Sequence, residues 1–115
     1  MRYSREIFDE AVWKIVSGIA PGRVKSYGEV ARIAGFPRHA RMVGRALGRC
    51  PYPLPWHRVV RSDRTLAFAV GSESYDRQKG LLENEGVQVT NGKVVPPESD
   101  ENEDLDKLLW GPSGI

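Results

Sequence analysis

The chain has 115 residues, one domain's worth, and its 40% apolar and 28% charged residues are ordinary for a soluble globular protein. No apolar run approaches the roughly 20 residues of a membrane helix. The single cysteine, Cys50, rules out an internal disulfide, and with two histidines it makes a poor metal set. Residues 1–95 carry 16 Lys+Arg against nine Asp+Glu, and residues 96–115 carry one against six, so the net charge of +2 conceals a +7 part and a −5 part. Eight arginines (32, 38, 41, 45, 49, 58, 61 and 64) and one acid, Asp63, lie between Arg32 and Arg64, which places the whole excess in the middle third. Such a stretch points to a phosphate backbone or another polyanion, against a merely solvated surface, because arginine suits phosphate geometry.

Ser4 is an N-cap candidate, followed by Ile7, Phe8, Ala11, Val12, Ile15 and Val16 at helical spacing, so a first helix is predicted to end near Gly18. Pro21-Gly22 marks a turn. Ser26 then caps a predicted short helix, Tyr27 to Ala34, which Gly35-Phe36-Pro37 breaks. A third helix is predicted from Arg38 to about Arg49, ending before Pro51. Two short helices around a glycine-containing turn form a helix-turn-helix pattern. Arg38, Arg41, Arg45 and Arg49 share one face of the second of these helices, with Val43 and Leu47 turned inward. Gly44 and Gly48 each cost a helix roughly 1 kcal/mol against alanine, so they want a reason: close approach to DNA, or tight packing against another helix.

A proline-rich connector, 51–55, leads to Trp56-His57-Arg58-Val59-Val60. Val59-Val60 can begin a short strand, with Thr65 to Val70 as its partner or as a loop. Asp76 to Asn84 is predicted helical, with Leu81 and Leu82 inward and Gly86 as its cap. Val87 to Val89 and Lys93 to Val95 form a hairpin through Asn91-Gly92. The expected organisation is one domain over 1–95 and an acidic, flexible tail over 96–115, in which Leu105, Leu108, Leu109 and Trp110 form a patch able to dock back. Met1 to Glu10 contains no signal-peptide core, so an intracellular protein is expected, cytoplasmic and nucleoid-associated in a bacterium or nuclear in a eukaryote.

Four motifs in order, Tyr27-Gly28-Glu29, Ala40-Arg41-Met42-Val43-Gly44-Arg45-Ala46, Pro55-Trp56-His57-Arg58-Val59-Val60 and Leu81-Leu82-Glu83-Asn84-Glu85-Gly86, resemble the DNA-binding domain of O6-alkylguanine-DNA alkyltransferases. The resemblance runs from about Phe8 to Gly86. It implies a mainly α fold with a small β-hairpin, a winged-helix-like helix-turn-helix domain of the alkyltransferase type. The transferases read Pro-Cys-His-Arg-Val, and their thiolate takes the alkyl group. Trp56 stands at that position here, and an indole offers no thiolate. This substitution resembles the alkyltransferase-like proteins, which bind alkylated guanine without repairing it and pass the lesion to nucleotide excision repair.

By that resemblance Arg41 is the finger that enters the duplex as the alkylated base flips out, and Tyr27 crowds the target phosphate. Ala40, Met42 and Gly44 form the small-residue face in the minor groove, with Arg38 and Arg45 beside them on the DNA. The alkylguanine pocket is expected from Trp56, Tyr27, Val59, His57, Arg58, Ala69 and Val70. Tyr27 and Trp56 can alternatively be plain core aromatics. His57 and Glu85 match a pair that activates cysteine in the transferases and are expected to survive as a structural hydrogen bond. Arg58 joins the pocket segment to a carboxylate or to the recognition helix, or else contacts phosphate. The lid, Thr65 to Ser72, carries no charge, which favours larger alkyl groups over polar ones. The expected partners are double-stranded DNA containing O6-alkylguanine and excision-repair proteins, with no membrane, no cofactor, no metal, no catalytic residue and a monomeric state. Two other readings stay open: a sequence-reading regulator, although Arg38 to Arg49 holds no Asn or Gln to read bases, and an enzyme using Cys50 or His57.

Overall fold

A computed structural model describes residues 3–95; the expectations for the acidic tail fall outside the described residues. Helix α1 spans Arg5–Ser17, and the Ser4 hydroxyl accepts the Ile7 N–H at its start. Its buried stripe is Phe8, Asp9, Val12 and Val16. Ala20 accepts the Arg23 N–H across Pro21-Gly22 at 3.1 Å, with Gly22 at φ 83°. That left-handed conformation, after proline, is why a glycine sits in the turn.

Strand β1 is Lys25–Ser26, and helix α2 is Tyr27–Ile33. Ser26 and Glu29 form a capping box: the Ser26 hydroxyl accepts the Glu29 N–H at 3.0 Å, and the Glu29 carboxylate accepts the Ser26 N–H at 2.7 Å. The hydrogen bond from the Ser26 N–H is the main reason the Glu29 carboxyl sits below its ordinary pKa, and Arg64 and Lys25 add to it. Helix α3, Ala40–Gly48, starts two residues later than expected, because Arg38 belongs to the preceding turn. A 3-10 turn over Trp56–Arg58 leads into strand β2, Val59–Val60. Helix α4, Glu73–Asn84, begins three residues earlier than the periodicity suggested, because Ser72 accepts the Tyr75 N–H and caps it. It ends with Gly86 at φ 86°, whose N–H reaches Glu83, while the Val87 N–H reaches Leu82. Strands β3, Val89–Thr90, and β4, Lys93–Val94, form the expected hairpin, with Asn91 and Gly92 both at positive φ in the turn.

Of the two alternatives for 65–70, partner strand or loop, the structure shows the loop. Strand β2 pairs in parallel with β1, a pairing not anticipated from the sequence, Lys25 opposite Val59 and Ser26 opposite Val60. Thr65 instead bridges to Lys93, which ties the lid's first residue to the wing. Strand β2 is also the seam between two cores. Alternation along a strand sends neighbouring side chains to opposite faces. Val59 joins Phe8, Val12, Val16, Val30, Phe36, Val43 and Ala46 in the core of α1–α3, and Val60 joins Leu66, Tyr75, Leu82, Val87, Val89 and Val94 between α4 and the hairpin.

Candidate nucleic-acid interface

Helix α3 is held from behind. The Trp13 indole N–H of α1 donates to the Ala46 carbonyl at 2.7 Å, and Val43 and Ala46 are fully buried. Arg49, at the helix C-terminus, grips the buried Asp9 carboxylate of α1 with two hydrogen bonds of 2.7 and 2.8 Å. Its placement with Arg38, Arg41 and Arg45 on one free face is therefore corrected: a carboxylate in the α1 stripe needs a cation, and Arg49 supplies it. Arg58 is likewise committed. Its guanidinium donates to the Ile19 carbonyl at 2.7 Å and to Glu85 at 2.6 to 3.2 Å. The other six arginines of the stretch (Arg32, Arg38, Arg41, Arg45, Arg61 and Arg64) are exposed, and none makes a side-chain hydrogen bond or ion pair among the described residues.

Glu85 is a junction. Besides Arg58 it accepts from His57 Nε2 at 2.8 Å and from the Gly22 N–H at 3.3 Å. The Arg58 bonds, chiefly, hold its carboxyl down at about 2, so it is ionised at neutral pH. An ionised carboxylate only accepts, so His57 Nε2 carries the proton in this bond. The expected His57–Glu85 hydrogen bond is thus present, and of the partners open to Arg58 the structure shows a carboxylate, Glu85. One side chain without a functional signal in any motif completes the scaffold. Gln78 of α4, fully buried, donates to the carbonyls of His57 and Val59 and accepts the Ala67 N–H, each at 3.1 Å. Its spacing from Tyr75 and Leu82 puts it on the buried face of α4, which was the available signal.

In front of this scaffold lies a cleft of about 350 Å³. Its walls are Ala40, Arg41 and Gly44 of α3, Tyr27 of α2, and Arg61, Ser62 and Ala67 from the segment after β2. Burial pushes the Tyr27 phenol up, and the Arg61 charge opposes that rise. Glycine at 44 is not required by internal packing, since a Cβ there would meet only Tyr27 Cε1 at 3.9 Å, and at Gly48 it would meet nothing within 4 Å. The helix-packing explanation of these glycines is set aside; both lie on the exposed side of α3.

Trp56 is half-buried and is not a wall of this cleft. Its ring meets Phe68 of the lid edge-on, with centroids 6.1 Å apart, and the Arg77 guanidinium stands 5.9 Å from its centroid. The lid itself is uncharged, but Arg77 stands beside Trp56 and Arg61 lines the neighbouring cleft, so an uncharged lid alone does not make the surroundings apolar. Three placements are corrected. Val59 is fully buried in the α1–α3 core, so its side chain faces no open pocket. Met42 is half-buried against the same core, since it lies about 160° around the helix from Gly44. Val70 is 75% exposed and leans on the hairpin turn, where a Cβ at Gly92 would lie 3.5 Å from its Cγ2. Ala69 is exposed and His57 is buried. Cys50 is half-buried beyond α3; its neighbour is the Tyr52 phenol, raised first by burial and then by that thiol, and no histidine bonds to it among the described residues.

Residues 7–87 match the family described as 6-O-methylguanine DNA methyltransferase, DNA binding domain. The chain belongs to this family. It is 45% identical over 105 residues to the DNA base-flipping protein of Escherichia coli strain K12, a match covering 90% of this chain and 74% of that one. It is 41% identical over 104 residues to the DNA base-flipping protein of Vibrio parahaemolyticus, covering 88% and 93%. Its fold is similar to that of Schizosaccharomyces pombe Atl1, solved in complex with damaged DNA containing O6-carboxymethylguanine, with a TM-score of 0.70, 35% identity, and coverage of 87% of this chain and 95% of that one. The mainly helical, winged alkyltransferase-type fold expected from the sequence is the fold observed.

Proposed function

We propose that this protein binds DNA containing O6-alkylguanine and displaces the alkylated base without removing its alkyl group. One observation carries the reading: the sequence runs Pro55-Trp56-His57-Arg58-Val59, in which the resemblance puts Trp56 at the transferases' cysteine, and the His57–Glu85 pair beside it has no thiol to activate. The free arginines and bare glycines of α3 support docking of that helix on DNA, and Arg41, on the wall of the cleft, is placed to fill the gap left by the base. The names of the relatives, base-flipping and alkyltransferase-like, agree with a role short of repair. The persistent complex then serves as the mark that excision-repair proteins read, and the protein acts as a monomer.

A titration at fixed salt, comparing a duplex holding one O6-methylguanine with its unmodified twin, tests this. Tighter binding to the lesion is expected. Equal affinity would reduce the protein to a general or sequence-reading DNA binder.

A further inference from the structure

The cleft has arginines on two walls, and only one of them belongs to the recognition helix. Arg61 is contributed by the turn that follows β2. That turn is tightly built. The Arg61 N–H donates to Thr65 at 2.9 Å, and the Arg61 carbonyl accepts the Arg64 N–H at 2.8 Å. The Arg64 carbonyl accepts the Val94 N–H of the wing at 2.9 Å, with Arg64 at φ 73°. Asp63, the turn's single carboxylate, accepts both the Thr65 N–H and the Thr65 hydroxyl, at 3.1 and 2.6 Å. It is thereby turned back into the loop and makes no ion pair with Arg61 or Arg64 among the described residues. The result is a braced turn that brings Arg61 and Ser62 to the cleft wall with Tyr27, the Arg61 charge acting on Asp63 and on the Tyr27 phenol but forming no direct ion pair among the described residues.

We propose that the Arg61–Thr65 turn is a second phosphate site, in which Arg61 holds the phosphodiester next to the displaced nucleotide while Arg41 lines the same cleft from α3. The inference rests on the reading of the protein as a binder of damaged DNA. A guanidinium that makes no hydrogen bond or ion pair among the described residues, carried on a turn braced by backbone bonds and followed by a hydroxyl residue, has the chemistry for an oxyanion. Arg41 then fills the stack while Arg61 keeps the backbone in its rotated position, so the two arginines act on different parts of one nucleotide. Arg64 and Lys25, near Glu29, extend the positive field along the same edge.

The test pairs the protein change with a DNA change. Binding of the O6-methylguanine duplex is measured against salt for the wild-type chain, Arg61→Ala and Arg61→Lys, with each phosphate flanking the lesion replaced in turn by an uncharged methylphosphonate. Loss of one phosphate contact makes the slope of log affinity against log salt shallower by about 0.9. Arg61→Ala is expected to lose that much, to melt like the wild type, and to become insensitive to one particular neutral linkage that the wild type feels. Arg61→Lys should keep most of the slope. An unchanged slope, or a neutral linkage that weakens Arg61→Ala as much as wild type at every position, overturns the proposal. So does a defect confined to a carboxylate-bearing adduct such as O6-carboxymethylguanine, which would assign Arg61 to the adduct. If the wild type shows no lesion preference the functional reading fails by itself, because the coupling between Arg61 and a phosphate is still read on the unmodified duplex.

Discussion

Arg41 and Arg45 lie on the same helix as Arg49, and Arg61 lies three residues from Arg58, yet the two sets do different work. Arg49 and Arg58 face the body of the protein and end on carboxylates, Asp9 and Glu85. Arg41, Arg45 and Arg61 face outward and end on nothing among the described residues. The contrast teaches that arginine content marks a nucleic-acid binder only after the structural arginines have been subtracted. What separates them is an acid, buried at Asp9 and partly buried at Glu85, supplied from a distant part of the chain. Removing a member of the inner set should cost stability, and removing a member of the outer set should cost DNA affinity alone.

The largest expected effect is therefore on the inner side. Arg58→Ala strands the partly buried Glu85 carboxylate, and Arg49→Ala strands Asp9. Arg58→Ala should destabilise by on the order of 3 kcal/mol, and Arg49→Ala, whose guanidinium is itself exposed, should destabilise by less, each read as a fall in the urea midpoint. Glu85 also sets an acid limit. Its carboxyl titrates at about 2 in the folded chain against an ordinary value of 4.5, so its contribution is complete above about pH 4.5 and is lost as pH falls toward 2. In Glu85→Gln the loss of stability over that window should be smaller than in the wild type. An identical acid profile would mean that other groups control it.

Arg41→Ala comes next and should behave in the opposite sense. Affinity for the lesion duplex should fall on the order of 10- to 100-fold, about 1.4 to 3 kcal/mol, with an unchanged melting curve. A matching loss of stability would move Arg41 into the inner set. The smallest effect gives the sharpest separation. Gly44→Ala has room for its methyl group and should stabilise α3 by up to about 1 kcal/mol, while weakening DNA binding through the lost close approach. Improvement in both properties would contradict the placement of this face on DNA.

The elements with local signals were legible in the sequence: the Ser4 and Ser26 caps, the Asn91-Gly92 turn, the Val43 stripe of α3, and the His57–Glu85 pair by resemblance. What escaped was non-local. The parallel pairing of β1 with β2 joins two-residue strands whose pairing has no pattern of its own. Arg49 fits the arginine face by spacing, and its capture depends on Asp9, forty residues away. That capture had a readable clue, because Asp9 falls in the buried stripe with Val12 and Val16 and a buried acid demands a cation. Gln78 offered a weaker clue of the same kind. The Arg77–Trp56 contact and the arrival of Arg61 at the cleft depend on how α4 and the wing fold back, which spacing along the chain does not encode.

The central claim, recognition without transfer, is tested most directly by incubating the protein in excess with the O6-methylguanine duplex, then weighing the protein and analysing the recovered DNA. The account predicts an unchanged protein mass and an intact lesion while the complex persists. A gain of one methyl mass on the chain, at Cys50 or elsewhere, with unmodified guanine in the DNA would contradict it.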